Sequence, residues 1–237
     1  MWNNEITRQL AIKLPFVGAG MAIVGSPELT AAVSNAGGVG LFCLGPGAPE
    51  MLGNEIDSIR RLSSAPFGVD FIVEETGFGP ATTEAHVEVA IAKHVPLAVF
   101  FWNPPEERWM RKLKRAGIKV WGTAYSVESA RRLKMLGADA VIVQSQEAGG
   151  HVKSDLGAMS LVPAVVDAMG RSRLSRQVES RMAGRPRPRS CSVPRLSASA
   201  PGCLRASRAW RAPSTRSASC ARKQTNGRDD DLWSRMA

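Results

Sequence analysis

No run of about eighteen apolar residues occurs in the chain, so nothing in it reads as a membrane-spanning helix. Met1 to Lys13 carries charges of both signs and no apolar centre, unlike a secretory leader; a cytoplasmic protein is the expectation. Cysteine is scarce: Cys43 stands alone in the body, and Cys191, Cys203 and Cys220 fall near the end. Their spacings fit neither a zinc pattern nor a disulfide framework, so no metal site is expected. Histidine is scarcer still, with His86, His94 and His151 and none beyond.

A marked excess of charge of either sign is missing from most of the chain as well. The formal net charge of +10 suggests nucleic acid or an anionic surface until its location is checked. Residues 171–237 hold 16 Lys and Arg against 4 Asp and Glu, whereas residues 1–170 hold 15 against 17. The basic character therefore belongs to the last stretch alone.

What the first 170 residues do contain is alternation. Leu14 to Met21 reads as a strand ending in a small-residue turn. Ser26-Pro27-Glu28-Leu29 opens a helix with serine at the N-cap and proline at the first helical position, and Gly37-Gly38 stops it. Val39 to Leu44, Phe67 to Ile72, Pro96 to Phe101 and Ile118 to Trp121 follow as strands. The helical patterns between them cover Ala48 to Leu62, Thr82 to His94, and Pro104 to about Gly117. Ser126 caps a further helix ending at Gly137, and Leu156 to Met169 is the last. Strand and helix alternate six times, which predicts a parallel α/β sheet. Six units do not close an eight-stranded barrel.

The most informative stretch is Asp139-Ala140-Val141-Ile142-Val143-Gln144-Ser145-Gln146-Glu147-Ala148-Gly149-Gly150-His151. A short β-branched run reads as a buried strand. Its carboxyl end is where a parallel α/β protein binds ligands. Paired glycines there let backbone approach a flat or bulky ligand, with His151 facing it from the loop. The plainer reading is a Gly-rich strand-to-helix turn with a surface histidine. His86 and His94 fall within and at the end of a helical pattern, and read as packing or surface residues.

The stretch resembles the signature of the nitronate monooxygenase (2-nitropropane dioxygenase) family, FMN-dependent TIM barrels, in which an apolar strand runs into Gln, Gly, any residue, Glu-Ala-Gly-Gly-His. Ser145 stands where that family usually has glycine. Gly18-Ala19-Gly20-Met21-Ala22 with Glu28 to Gly40 resembles its amino-terminal block. Phe67-Gly68-Val69-Asp70 resembles a block that usually ends in asparagine, a flavin hydrogen-bond partner; Asp70 departs from it, since an ionised carboxylate accepts but does not donate. The resemblance implies an incomplete (β/α)8 barrel of about six units over residues 1–170. It also implies a flavin oxidoreductase acting on nitronates or nitroalkanes with dioxygen. His151 would serve at the substrate carbon, and Ala19, Gly20, Met21, Asp70, Gln144, Gly149 and Gly150 would lie against FMN. Glu147 reads as a structural acceptor of backbone N–H. An FMN-dependent enoyl-ACP reductase shares the fold and the loop and stays open as an alternative.

After Gly170 the periodicity stops. Residues 171–237 read as a disordered basic tail, with 15 arginines among its 16 basic residues. Nucleic-acid binding is the rival reading of that tail, disfavoured because its arginines are not interleaved with aromatics. Codon degeneracy offers another account. Read from each third base, the codons of Arg173 to Gly184 permit Ala-Val-Ala-Ala-Gly-Gly-Ile-Ala-Asp-Gly-Arg, and those of Arg189 to Pro194 permit Leu-Val-Leu-Gly-Ala. Such strings are what the family would have as its seventh strand and the approach to its eighth. Residues 171–237 are therefore expected to be a frameshift product, with FMN binding weak or absent and the activity of the chain itself left open.

Overall fold

The computed structural model describes residues 4–77 and 79–170, and the backbone of 179–180. The chain divides into two units, residues 1–183 and 184–237, of which the second lies outside the described residues.

Strands β1 (Gly40–Phe42), β2 (Phe67–Ile72), β5 (Leu97–Phe101), β6 (Lys119–Ala124) and β7 (Ala140–Val143) pair in that order, all parallel. The short segments β3 (Glu75–Thr76) and β4 (Gly79–Pro80) form an antiparallel ribbon beyond β2. Helices α2 (Pro27–Asn35), α3 (Pro49–Leu62), α4 (Glu84–Ala92), α5 (Glu107–Arg115), α6 (Val127–Met135) and α7 (Ala158–Met169) occupy the connections. This is the parallel α/β alternation the sequence predicts. Glu179–Ser180 (β8) pairs in parallel with Ile142 and Val143, so two residues of the expected tail add a strand beside β7. The rest of that expectation lies outside the described residues. Among the described residues the order runs from β1 to β8 without closing.

The helix starts follow the capping residues. Ser26 accepts the Leu29 N–H at 3.2 Å with Pro27 at the first position of α2, and Ser126 accepts the Ser129 N–H at 3.1 Å at the start of α6. Each supplies an acceptor to a backbone donor that the helix itself cannot satisfy.

The expected first strand over Leu14–Met21 is reduced to one bridge, Val17 to Val39. Gly18 N donates to Val39 O at 2.8 Å and Val39 N to Phe16 O at 2.9 Å. Pro15 has no N–H to continue the ladder upstream, and Lys13 and Leu14 instead donate to Gly37 O. A helix not anticipated, α1 (Glu5–Leu10), precedes it, held by a reciprocal Asn4–Thr7 cap.

Strand alternation sends side chains to two cores. Phe67, Val69, Phe71, Ala98, Phe100, Val120, Val141 and Val143 pack outward against the helices. Leu41, Leu97, Val99, Trp121 and Ala140 point the other way and meet Ile6, Leu10 and Ile12. Helix α1 thus supplies apolar cover to the inner face, and the buried Trp121 indole donates to Gln9 Oε1 at 2.9 Å. Each fully buried aliphatic side chain contributes roughly 1.5–3 kcal/mol to that assembly.

Candidate functional site

The strand periodicity that buries Val99 and Trp121 on the inner face also places Asp70 there, because Asp70, Val99, Trp121 and Ala140 share one register row. Beyond this row the carboxyl ends of the strands carry the loops that the sequence singles out. They form two groups, one after β1 and β2 and one after β7, with the loops after β5 and β6 between them.

In the first group Gly20 lies directly against Asp70. A Cβ built on Gly20 would sit 2.2 Å from Asp70 Oδ2 and 2.5 Å from Asp70 Cβ, so only glycine fits this approach. Ala19 is half-buried and Met21 exposed beside it. Cys43, just past β1, is buried; desolvation and then the neighbouring Asp70 carboxylate push its thiol up to about 12, so it stays protonated at neutral pH. Leu44, Gly45, Asp70, Thr82 and His86 line a small cleft there. His86 is buried and structural: its Nδ1 accepts the Thr83 N–H at 3.1 Å, which leaves Nε2 to donate to Gly47 O at 2.9 Å. His94 sits exposed at positive φ after α4.

The second group surrounds His151. Gln144 Nε2 donates to the His151 carbonyl at 2.9 Å, so this amide braces the loop. Gly149 and Gly150 are exposed, with open space where a Cβ would stand, and Gly150 takes φ +78°, a conformation that favours glycine. The exposed His151 ring meets Trp102 edge-on, with centroids 6.2 Å apart at 88°. Glu147 accepts the Ala158 N–H at 3.0 Å, at the first residue of α7. The Ser145 hydroxyl, followed by the Glu147 and Ala158 backbone, holds its carboxyl below the usual carboxylate range. The structural role expected of Glu147 is therefore the one observed.

The two groups are separated by β5 and β6 in the sheet order, so Gly20 with Asp70 and Gln144 with His151 form distinct contacts. Sequence reasoning missed the residues between them. Trp102 and Asn103 follow β5, Tyr125 follows β6, and Lys153 reaches all three from the loop after β7. Their signal was position alone, each falling just past a strand's carboxyl end.

A family model described as nitronate monooxygenase matches residues 3–170, the whole alternating part of the chain. The chain belongs to the nitronate monooxygenase family. A relative named probable nitronate monooxygenase from Staphylococcus aureus (strain MSSA476) is 34% identical in an alignment 209 residues long that covers 71% of this chain and 59% of that protein. The chain thus spans about three fifths of that curated relative's length. Among solved structures, FabK from Thermotoga maritima superposes with a TM-score of 0.65 at 34% identity, over 71% of this chain and 52% of that one. Nitroalkane oxidase from Streptomyces ansochromogenes gives 0.63 at 31% identity, over 69% and 57%. The match of the nitronate monooxygenase family stops at residue 170, where the sequence loses its periodicity. No helix among the described residues is long and apolar enough to cross a membrane.

Proposed function

We propose that the body of this protein is built as an FMN-dependent oxidoreductase that oxidises alkyl nitronates or nitroalkanes with dioxygen. The observation that carries the reading is the family match over residues 3–170, with the Glu147-Ala148-Gly149-Gly150-His151 loop at the carboxyl end of β7. The residues present suit the ring portion of a flavin. Ala19, Gly20, Met21 and Asp70 offer one wall, and Gly149 and Gly150 leave the space beside the other open. FMN would supply the redox chemistry, taking electrons from the substrate and returning them to dioxygen.

The protein's own part is positioning and proton handling. His151, exposed beside the open glycines, takes the α-proton of a nitroalkane as a neutral imidazole, or holds a nitronate anion as imidazolium. Gln144 and Glu147 keep that loop in place, the first through the His151 carbonyl and the second through the start of α7.

The phosphate end is another matter. Barrels of this kind commonly bind a cofactor phosphate in loops after the seventh and eighth strands, with backbone N–H groups and a helix N-terminus. Residues 171–237 follow in the sequence where those units would be expected, and read as a shifted frame. Losing three charge-assisted hydrogen bonds, each about 1.5–3 kcal/mol, costs about 4–9 kcal/mol. That turns a nanomolar site into one between micromolar and millimolar. The 237-residue protein, purified without added cofactor, should be colourless. A yellow protein with near-stoichiometric FMN refutes this part, and absence of nitronate-dependent dioxygen uptake in saturating FMN refutes the activity for this chain.

The likeness to FabK of Thermotoga maritima favours one second reading, an FMN-dependent enoyl-ACP reductase. Rapid bleaching of the bound flavin by NADH would select it.

A further inference from the structure

Lys153 lies at the centre of the residues that the strand ends bring together. Its ammonium stands 4.6 Å from the Trp102 ring centroid and 5.1 Å from that of Tyr125. It donates to Asn103 Oδ1 at 2.9 Å and lies 3.5 Å from the Trp102 carbonyl. Every one of these neighbours is neutral. Among the described residues no carboxylate forms an ion pair with it, although eight other ion pairs are formed. Glu74 meets the network only at the far end of the Asn103 amide, 3.2 Å from Nδ2. The positive charge is thus held in place without being neutralised.

Two further observations make this a built arrangement. Trp102 adopts φ +78°, a strained conformation for a bulky side chain of the kind that clusters at functional sites. The same ring packs its neighbour His151 edge-on. One indole therefore sets the positions of both the cation and the imidazole, at the carboxyl ends of β5 and β7. Lys153, Trp102 and Tyr125 are half-buried and His151 is exposed, so a solute can reach them.

We propose that Lys153, aimed by Trp102 and Tyr125, is the anion-recognition residue of this site and selects the negatively charged nitronate over the neutral nitroalkane. The proposal rests on the reading of His151 as the substrate-facing residue. An ammonium whose immediate neighbours are π faces and amide or carbonyl oxygens keeps its attraction for the O–N–O⁻ group, and the two charges meet in a charge-assisted hydrogen bond. A neutral nitro group gains far less from the same contact. A lysine that merely pins the loop would show no such dependence on ligand charge.

The test is isothermal titration calorimetry of the full 237-residue protein without added FMN, so that no redox step follows binding. Propyl-1-nitronate and neutral 1-nitropropane are the probes. The nitronate should bind roughly tenfold or more tightly than the nitroalkane. Lys153→Met should remove most of that preference while changing 1-nitropropane binding far less, and Lys153→Arg should retain it. A thermal melt of each variant checks that the fold is intact, and Lys153→Gln, which also removes the charge, carries the comparison if Lys153→Met unfolds. Equal weakening of both ligands, no weakening of either, or no nitronate binding by the parent protein overturns the proposal. Lys153-dependent nitronate binding without nitronate-driven dioxygen uptake in added FMN would leave the anion site standing and remove the proposed oxidation. Uptake with Lys153-independent binding would do the reverse.

Discussion

Replacing Gly20 by alanine tests the approach of the turn after Val17 to β2. The new Cβ would stand 2.2 Å from Asp70 Oδ2, 2.5 Å from Asp70 Cβ and 2.7 Å from Asp70 Cγ. A carboxylate oxygen can swing away, but Cβ moves only with the strand. β2 is locked by parallel pairing to β1 on one side and β5 on the other, so the turn must lift instead. Overpacking of this kind costs about 1–3 kcal/mol. For a domain of this size that lowers the midpoint of thermal unfolding by roughly 2–12 °C. The mechanism predicts graded relief. Asp70→Ala removes Oδ2 and Cγ but keeps the 2.5 Å contact, so Gly20→Ala should still be costly in that background. Asp70→Gly removes all three contacts, and there Gly20→Ala should cost no more than about a few tenths of a kcal/mol. Urea unfolding of the four proteins in each cycle gives the coupling, with the intrinsic cost of altering Asp70 cancelling. An equal penalty for Gly20→Ala in the parent protein and in the Asp70→Gly background would refute the close approach. A negligible penalty in the parent protein would do so too.

Two further substitutions address the loop after β7. His151→Ala should lower nitronate turnover in FMN-saturated protein by about 10²-fold or more while leaving flavin affinity unchanged, since the proposed flavin contacts come from other residues. Unchanged steady-state rates on nitronates and nitroalkanes would remove His151 from the mechanism. Glu147 carries the pH prediction. Its folded carboxyl titrates below its ordinary value, so its contribution to stability is present above that value and is lost as pH falls through the depressed one. Glu147→Gln should therefore flatten part of the acid limb of a urea-stability profile, with a small amplitude because the group is exposed. An acid limb identical to that of the parent protein counts against the cap.

Much of the architecture is local and was open to reading from the chain. Serine before a helical run supplies an acceptor wherever it occurs, so Ser26 and Ser126 mark helix starts without any knowledge of their neighbours. Apolar β-branched runs such as Ala140–Val143 bury themselves as strands, and their alternation with helices leaves a parallel sheet as the solution. The position of His151 followed from the same logic, as did the structural part played by Glu147.

What the sequence left open depends on contacts between distant residues. The helix Glu5–Leu10 is too short to be stable by itself and exists because Ile6 and Leu10 cover the inner faces of Val99 and Trp121. Val17 keeps a single bridge because Pro15 cannot pair, a weakness visible only once Val39 is its partner. The Gln144 amide, expected to lie against FMN, donates to the His151 carbonyl, a partner that only the folded loop brings to it. The arrangement of Trp102, Tyr125 and Lys153 has no sequence pattern, because its members lie on three different connections. Local preference determined strands β2, β5, β6 and β7 and the helices between them, while the pairing order of those strands decided which side chains would meet at their ends.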